Sequence, residues 1–485
     1  MVLVDLLPIF MFVALGALLF TGFPVAFILG GVGLAFGFIG ILVGEFAFVR
    51  FMLLPNRIFG GIMTNLILTA IPMFIFMGTM LEKSGIARDL LNCLQVLLRR
   101  VPGGLALAVT LMGTILAATT GIIGASVIMM SLLALPVMIE RKYDHSLATG
   151  TIAASGTLGI LIPPSIMLVI MADLLSRSVG NLFVAAVFPG LMLASFYVIY
   201  IVVRCWMNPK LAPRLDGMLG PQTGWGVFWM VIRSFVPPVI LIGMVLGSIL
   251  GGFATPTEAA GVGAFGALLL GFINLVVLPS VGIQEFSLEP TDHVFEAPKR
   301  SFWAELKSYY KTVATVVEST ALTNAMIFGI FIGATLFSYV FRALGGDHLV
   351  IDLVNSLGLG AWGLLFLIMG IVFILGFFFD WIEITLIVLP VFAPIIAQMD
   401  FGDHVSKFEM TYWFAILLAV NLQTSFLTPP FGFALFYLKA VAPKSVKIQE
   451  IYAGIIPFVL LQLTGLALVM RFPEIALWLP RVLLD

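Results

Sequence analysis

A chain of 485 residues that is 61% hydrophobic and 10% charged, with mean hydropathy +1.16 and net charge −1, cannot cover a soluble surface, because soluble domains carry about 25% charged residues. Apolar runs of roughly 20 residues recur from Leu6 to Leu479, without the alternating strands of a barrel. The composition excludes a water-soluble enzyme, and the net charge says nothing about an acidic or nucleic-acid partner; no nucleic-acid partner is expected. An all-α polytopic membrane protein is expected.

No basic residue precedes the first apolar run, and Asp5 is its only charge. It reads as a first span rather than a cleaved leader, with the N-terminus outward. Spans are expected at about 6–20, 24–44 and 65–82, followed by an amphipathic stretch at 83–100. The run 103–139 is interrupted at Thr119-Thr-Gly-Ile-Ile-Gly-Ala-Ser126, and 146–176 is broken at Ser155-Gly-Thr-Leu-Gly-Ile-Leu-Ile-Pro-Pro-Ser165. A span at 181–204 closes a first half, 1–205. A polar linker at 206–232 leads to a second half, 233–485. That half carries a polar insertion at 280–302, an interrupted run at 361–399 and a broken run at 409–441. Cys93 and Cys205 lie far apart, and with four scattered histidines they give neither disulfide nor metal spacing.

The halves share one design. Leu-Pro-Val recurs at 135–137 and 389–391, and Pro163-Pro164 recurs as Pro429-Pro430. Gly78 stands 58 residues before Pro136, and Gly333 stands 57 before Pro390. Pro24 matches Pro256, and the longer spacing that follows Pro256 falls at the polar insertion. Each interrupted run could cross the membrane or turn back. If 103–139 and 361–399 are re-entrant hairpins, each half crosses about five times, and an odd count inverts the second half. This choice places 17 of the 24 lysines and arginines inside, as the positive-inside rule asks.

A backbone break in lipid is tolerated only where protein or a wet cavity satisfies the freed groups. Four such breaks in matched pairs are therefore the expected site. In the first half the candidates are Thr120, Gly121, Gly124 and Ser126 at the hairpin tip. Ser155, Gly156, Thr157, Gly159, Pro163, Pro164 and Ser165 follow at the break. In the second half they are Asp380 and Thr385 at the tip, with Asn421, Thr424, Ser425, Thr428, Pro429, Pro430 and Gly432 at the break. Hydroxyls and carbonyls are hard neutral ligands suited to Na⁺, and half-helix N-termini suit a carboxylate substrate. The bland reading of Pro-Pro is a kink repaired by Ser and Thr. Asp380 is an intramembrane acid that either serves the site or caps the next helix. Glu258 reads as a helix-start residue, and Gly30, Gly33 and Gly37 read as close helix packing. The basic stretches 83–100 and 303–311 read as interfacial helices. No phosphate-binding loop is present, so no ATPase is expected.

Ser155–Ser165 resembles the signature of the large membrane subunit of tripartite ATP-independent periplasmic (TRAP) transporters. Thr21-Gly-Phe-Pro-Val-Ala-Phe27, Ala70-Ile-Pro-Met-Phe74, Ala254-Thr-Pro-Thr-Glu-Ala259 and Asn421…Thr428-Pro-Pro-Phe-Gly432 carry the resemblance over nearly the whole chain. The insertion near 280–300 resembles the longer subgroup labelled mannitol/chloroaromatic type. The first tip is less serine-rich than the family pattern. The resemblance implies an inner-membrane, Na⁺-driven symporter of organic acids that works by an elevator movement. It also implies two partners, a small four-helix membrane subunit and a periplasmic substrate-binding protein. A stand-alone carboxylate symporter of the same architecture is the nearest alternative. A channel suits two inverted halves less well, and no nucleophile–base pair supports a membrane enzyme.

Overall fold

The computed structural model describes residues 6–121, 123–214, 219–283, 299–356, 358–429 and 432–484, with the side chains of 117–120, 351, 353–355 and 484 outside that description. Among the described residues the regular structure is helical, and eight helices are long and apolar enough to cross a membrane. The core of the polar insertion, 284–298, lies outside the described residues, as do Ile122 and Pro430.

The helices differ in burial, and their contacts sort them into two sets. Every residue of Met410–Leu427 is buried. Gly224–Leu250 and Pro256–Val281 keep most of their residues outside the core. The first set forms an inner body, built from the two interrupted runs, the two broken helices, Val179–Met207 and Ile448–Arg471. The second set surrounds it with Val25–Leu42 and the long helix Phe302–Ala343. Small residues set the closest approaches. A Cβ on Gly33 would stand 3.0 Å from Leu336, and one on Gly333 would stand 2.4 Å from the Ala26 carbonyl oxygen. Within the inner body, Gly150 and Gly454 bring His145–Thr157 against Ile448–Arg471, backbone to backbone. Glu258 takes the helix-start role, in a reciprocal capping box with Thr255.

Three features depart from the sequence reading. The stretch 83–100, read as an interfacial helix, is packed into the protein. Nine of the twelve residues of Ile86–Leu97 are buried, and Arg99 donates from Nη1 to the carbonyls of Leu219 and Pro221. Its polar face is covered by the segment after residue 218 and by the helix Gly224–Ser234, so amphipathicity here marks packing. The basic stretch 303–311 is no separate element either, but the first turns of the 42-residue helix Phe302–Ala343. At 1.5 Å per residue that helix is about 63 Å long, roughly twice the hydrocarbon thickness. Finally, the linker turns helical at Gly224, where Trp225 stacks on Phe228 with ring centroids 5.4 Å apart. Aromatic residues at a membrane interface favour such a start.

The segment 48–63, left between spans in the sequence reading, is helical throughout. It meets Ile67–Lys83 at a bend of 56°. Asn65 holds the bend: its Oδ1 accepts from Ile67 N at 3.0 Å, and its Nδ2 donates to Asp173 Oδ1 at 2.6 Å. At the far end of the chain, Arg481 donates to Glu474 Oε1 at 2.7 Å and to Glu409 Oε2 at 2.8 Å. The guanidinium holds the Glu409 carboxyl below its ordinary range and pins the last helix to the start of Met410–Leu427. Cys93 and Cys205 are free and buried.

The glycine contacts give a direct test. Gly333→Ala places a methyl group against backbone and is expected to destabilise the fold by about 1–3 kcal/mol. Gly31→Ala, with nothing within 4 Å, should be neutral. Thermal unfolding of the purified protein measures both, and equal midpoints for the two variants would refute the contact.

Candidate functional site

Each interrupted run is a helical hairpin, and each broken helix is two short helices in line with a hairpin. Gly104–Thr120 turns at Gly121 into Ile123–Glu140. Gly121 has φ +57°, and a Cβ there would stand 2.7 Å from Ile166, so the turn needs glycine for both backbone and space. Ala361–Leu375 turns through 376–380 into Trp381–Ile396. Here a Cβ on Gly376 would overlap the Ser425 hydroxyl. The first tip is thus seated against the far side of the first break, and the second against the near side of the second break.

The first broken helix ends at Thr157, passes through the 3₁₀ turn Leu158–Ile160 containing Gly159, and restarts at Ile166. Between them the Pro163–Pro164 bond is cis, and Ser165 Oγ donates to Ile160 O at 2.6 Å. The second ends at Leu427 and restarts at Phe433, after Gly432 N donates to Thr428 O at 3.1 Å. Proline supplies no N–H to continue either helix, and the freed carbonyls are repaired locally by hydroxyls.

The hairpins and breaks are exchanged between the halves. Ile123–Glu140 packs on Phe433–Val441, where Gly124 faces the Tyr437 ring. Trp381–Ile396 packs on Ile166–Leu174. The two broken helices meet directly, with Gln423 Nε2 3.5 Å from Thr157 Oγ1. All four breaks therefore share one buried region.

Most candidate side chains lie there. Ser126, Ser155, Thr157, Ser165, Thr385, Asn421, Thr424 and Ser425 are buried, and Gly156 lies against Val127. Thr424, Ser425 and Thr428 donate their protons to the carbonyls of Val420, Leu422 and Thr424 at 2.8–2.9 Å. Their oxygen lone pairs are left for a cation. Thr157 does the same toward Ala154 O, and Ser155 toward Thr110 Oγ1. Thr385 Oγ1 is buried with no hydrogen-bond partner. Asn421 turns away, donating to Met369 O at 2.8 Å to hold the second hairpin. Asp380 takes the capping alternative: its carboxylate accepts from Trp381 N at 2.7 Å, and Glu383 accepts from Asp380 N at 3.2 Å. It orders the tip through one carboxylate oxygen. Pro429 precedes the gap at Pro430, and the Thr120 side chain and Pro430 lie outside the described residues.

The sequence reading did not nominate Gln423, Tyr197 or Gln462, all fully buried. Gln462 Nε2 donates to Tyr197 Oη at 2.7 Å, and Gln423 Nε2 approaches the same oxygen at 3.5 Å. Both amide oxygens are left without a partner. An uncompensated buried amide oxygen costs about 1–3 kcal/mol, and rotating the Gln462 amide would let its oxygen accept from the Tyr197 hydroxyl. Two amides in otherwise apolar helices were the available signal.

Comparison with known proteins places this arrangement. A profile of the family described as "Tripartite ATP-independent periplasmic transporter, DctM component" matches residues 12–475. The C4-dicarboxylate TRAP transporter large permease protein DctM of Pseudomonas aeruginosa is 30% identical over 420 residues, covering 85% of this chain and 86% of its own length. The ectoine TRAP transporter large permease protein TeaC of Halomonas elongata is 26% identical, covering 85% and 86%. Among solved structures, the Alcanivorax borkumensis YdaH transporter has a similar fold. Its TM-score is 0.56 at 15% sequence identity, over 89% of this chain and 88% of that one. The chain belongs to the DctM family, the large permease subunits of tripartite ATP-independent periplasmic transporters, and is a membrane transport protein rather than an enzyme.

Proposed function

We propose that this permease couples Na⁺ entry to uptake of a small carboxylate across a bacterial inner membrane, by an elevator movement of the inner body. The observation that carries the reading is the convergence of two hairpins and two broken helices around neutral oxygen ligands. Hydroxyls with unused lone pairs and orphaned amide and hydroxyl oxygens suit an alkali cation. They give no basis for nucleotide or redox chemistry. Half-helix N-termini at Ile166 and Phe433 offer unpaired amides to an anion. Supporting the elevator reading, the wholly buried helix Met410–Leu427 lies among the hairpins, while Gly224–Leu250 and Pro256–Val281 keep most of their residues outside the core. The halves are read as inverted repeats, 1–205 and 233–485, with both termini periplasmic.

The tripartite family membership supports two partners, a small four-helix membrane subunit and a periplasmic binding protein that delivers the substrate. The relative named for C4-dicarboxylates makes a small organic acid the first substrate class to examine.

The test is uptake of labelled organic acids into liposomes holding this protein and its cognate small subunit, under an inward Na⁺ gradient. Uptake is expected to require both Na⁺ and the binding protein. Uptake with Na⁺ alone would favour a stand-alone symporter, and gradient-independent uptake would refute coupling. In the same assay, Thr424→Ala with Ser425→Ala should raise half-saturating Na⁺ by roughly thirtyfold, since each of the two ligands contributes about 1 kcal/mol. An unchanged Na⁺ curve in well-folded protein would remove these hydroxyls from the ion site. Gln423→Leu should keep the unfolding midpoint near that of the parent, because it deletes an orphaned carbonyl. It should lower maximal uptake by about tenfold. Full uptake would reduce Gln423 to a packing residue.

A further inference from the structure

The buried region around the breaks contains no arginine or lysine among its described residues, so the charge that would select an anion must come from elsewhere. A second cavity, of about 160 Å³, lies at the seam between the inner body and its surround. One wall is the helix Phe302–Ala343, which presents Thr335, Ser338 and Arg342 along a single stripe of helical spacing. Arg57, from the bent arm, forms a second wall. Leu174 and Pro390, from the first broken helix and the second hairpin, close the inner side. The cavity therefore touches both parts that an elevator movement displaces.

Its two guanidinium groups differ in their partners. The Arg57 guanidinium carbon lies 4.6 Å from the Tyr339 ring centroid, and no carboxylate stands within 4 Å of that guanidinium among the described residues. Tyr339 is fixed in turn, donating from its hydroxyl to Arg50 O at 3.1 Å. Arg342 donates from Nη2 to Pro390 O at 2.5 Å and has its Nε 3.8 Å from Asp347. A stacked guanidinium is held in a fixed plane and presents a fork of donors that matches a carboxylate. Two guanidinium groups and two hydroxyls around so small a space fit one carboxylate and a short carbon chain. They do not fit a cationic solute.

We propose that this cavity is the anion-receiving vestibule of the transporter, where Arg57 and Arg342 take the carboxylate of a small organic acid before it reaches the breaks. The assignment rests on the transport reading above, and it deepens it by naming the charge selection. Arg57 is the specificity-determining group. Arg342 receives the anion while tied to the second hairpin through Pro390, so substrate and hairpin meet on one side chain.

The test measures the unfolding midpoint of the purified permease complex in lipid nanodiscs against acetate, lactate and succinate, with neutral succinamide as the control. The parent protein should be stabilised by at least one of the acids and not by succinamide. Arg57→Gln should weaken that binding by about tenfold or more, while Arg57→Lys should recover part of it. Lys407→Gln, at an exposed site away from the cavity, should leave it unchanged. Nanodiscs of phosphatidylcholine alone and with phosphatidylglycerol separate a solute from a lipid headgroup. Stabilisation by phosphatidylglycerol without any by the acids overturns the proposal. So does equal acid binding by the parent and Arg57→Gln, or no acid-dependent shift in the parent. Uptake by the same variants reconstituted in sealed liposomes distinguishes the two readings: Arg57-dependent binding without Na⁺-driven uptake would sink the transport reading and leave the anion site standing.

Discussion

Inside hydrocarbon, every backbone amide and carbonyl must find a partner within the protein, and four interruptions of helix place that demand at the centre of this molecule. The response is visible residue by residue. The hydroxyls of Thr157, Ser165, Thr424, Ser425 and Thr428 each return a proton to a nearby carbonyl. The hairpin turns at Gly121 and Gly376 press against Ile166 and Ser425 so closely that no side chain fits. Burial is complete along Met410–Leu427 because a broken helix exposed to lipid would leave its ends unsatisfied. The unbroken helices Gly224–Leu250 and Pro256–Val281 need no such enclosure, and most of their residues lie outside the core.

The same demand explains why neutral oxygen dominates the site. Charges of one sign packed around a dehydrated cavity would be costly, whereas hydroxyls that have already donated their protons offer lone pairs at little cost. The formal charges are either tied up or set apart. Asp380 and Glu383 are bound into a helix cap, and Arg57 and Arg342 stand at the seam. An ion can then be held by dipoles and an anion met by guanidinium groups, without a buried pair that would trap either.

Much of this was legible in the sequence because proline and glycine are local signals. Pro163-Pro164 and Pro429-Pro430 marked both breaks, the Leu-Pro-Val pair aligned both hairpins, and Gly33 marked a helix contact. What stayed hidden depended on partners distant in the chain. Gln423, Tyr197 and Gln462 sit on three separate helices, and nothing local says that their side chains meet. The stretch 83–100 has the pattern of an interfacial helix, since amphipathicity records only that two faces differ. Burial under residues beyond 218 could not be read from it. Asp380 had two physically sound roles, and choosing between them required the geometry of Trp381 and Glu383. The helix at 48–63 mixes three helical pitches, which blurs the periodicity that would have announced it.

The exchange of hairpins between halves bears on how the chain is made. Ile166–Leu174 rests on Trp381–Ile396, and Ile123–Glu140 rests on Phe433–Val441. When the first half leaves the ribosome, the surfaces that cover its break are still some two hundred residues from being synthesised. The early half must wait in the bilayer with its interruption sheltered by water, lipid headgroups or an insertion factor. Only the arrival of the last quarter of the chain closes the core, so assembly is governed by late synthesis, and a truncated first half has no native resting place.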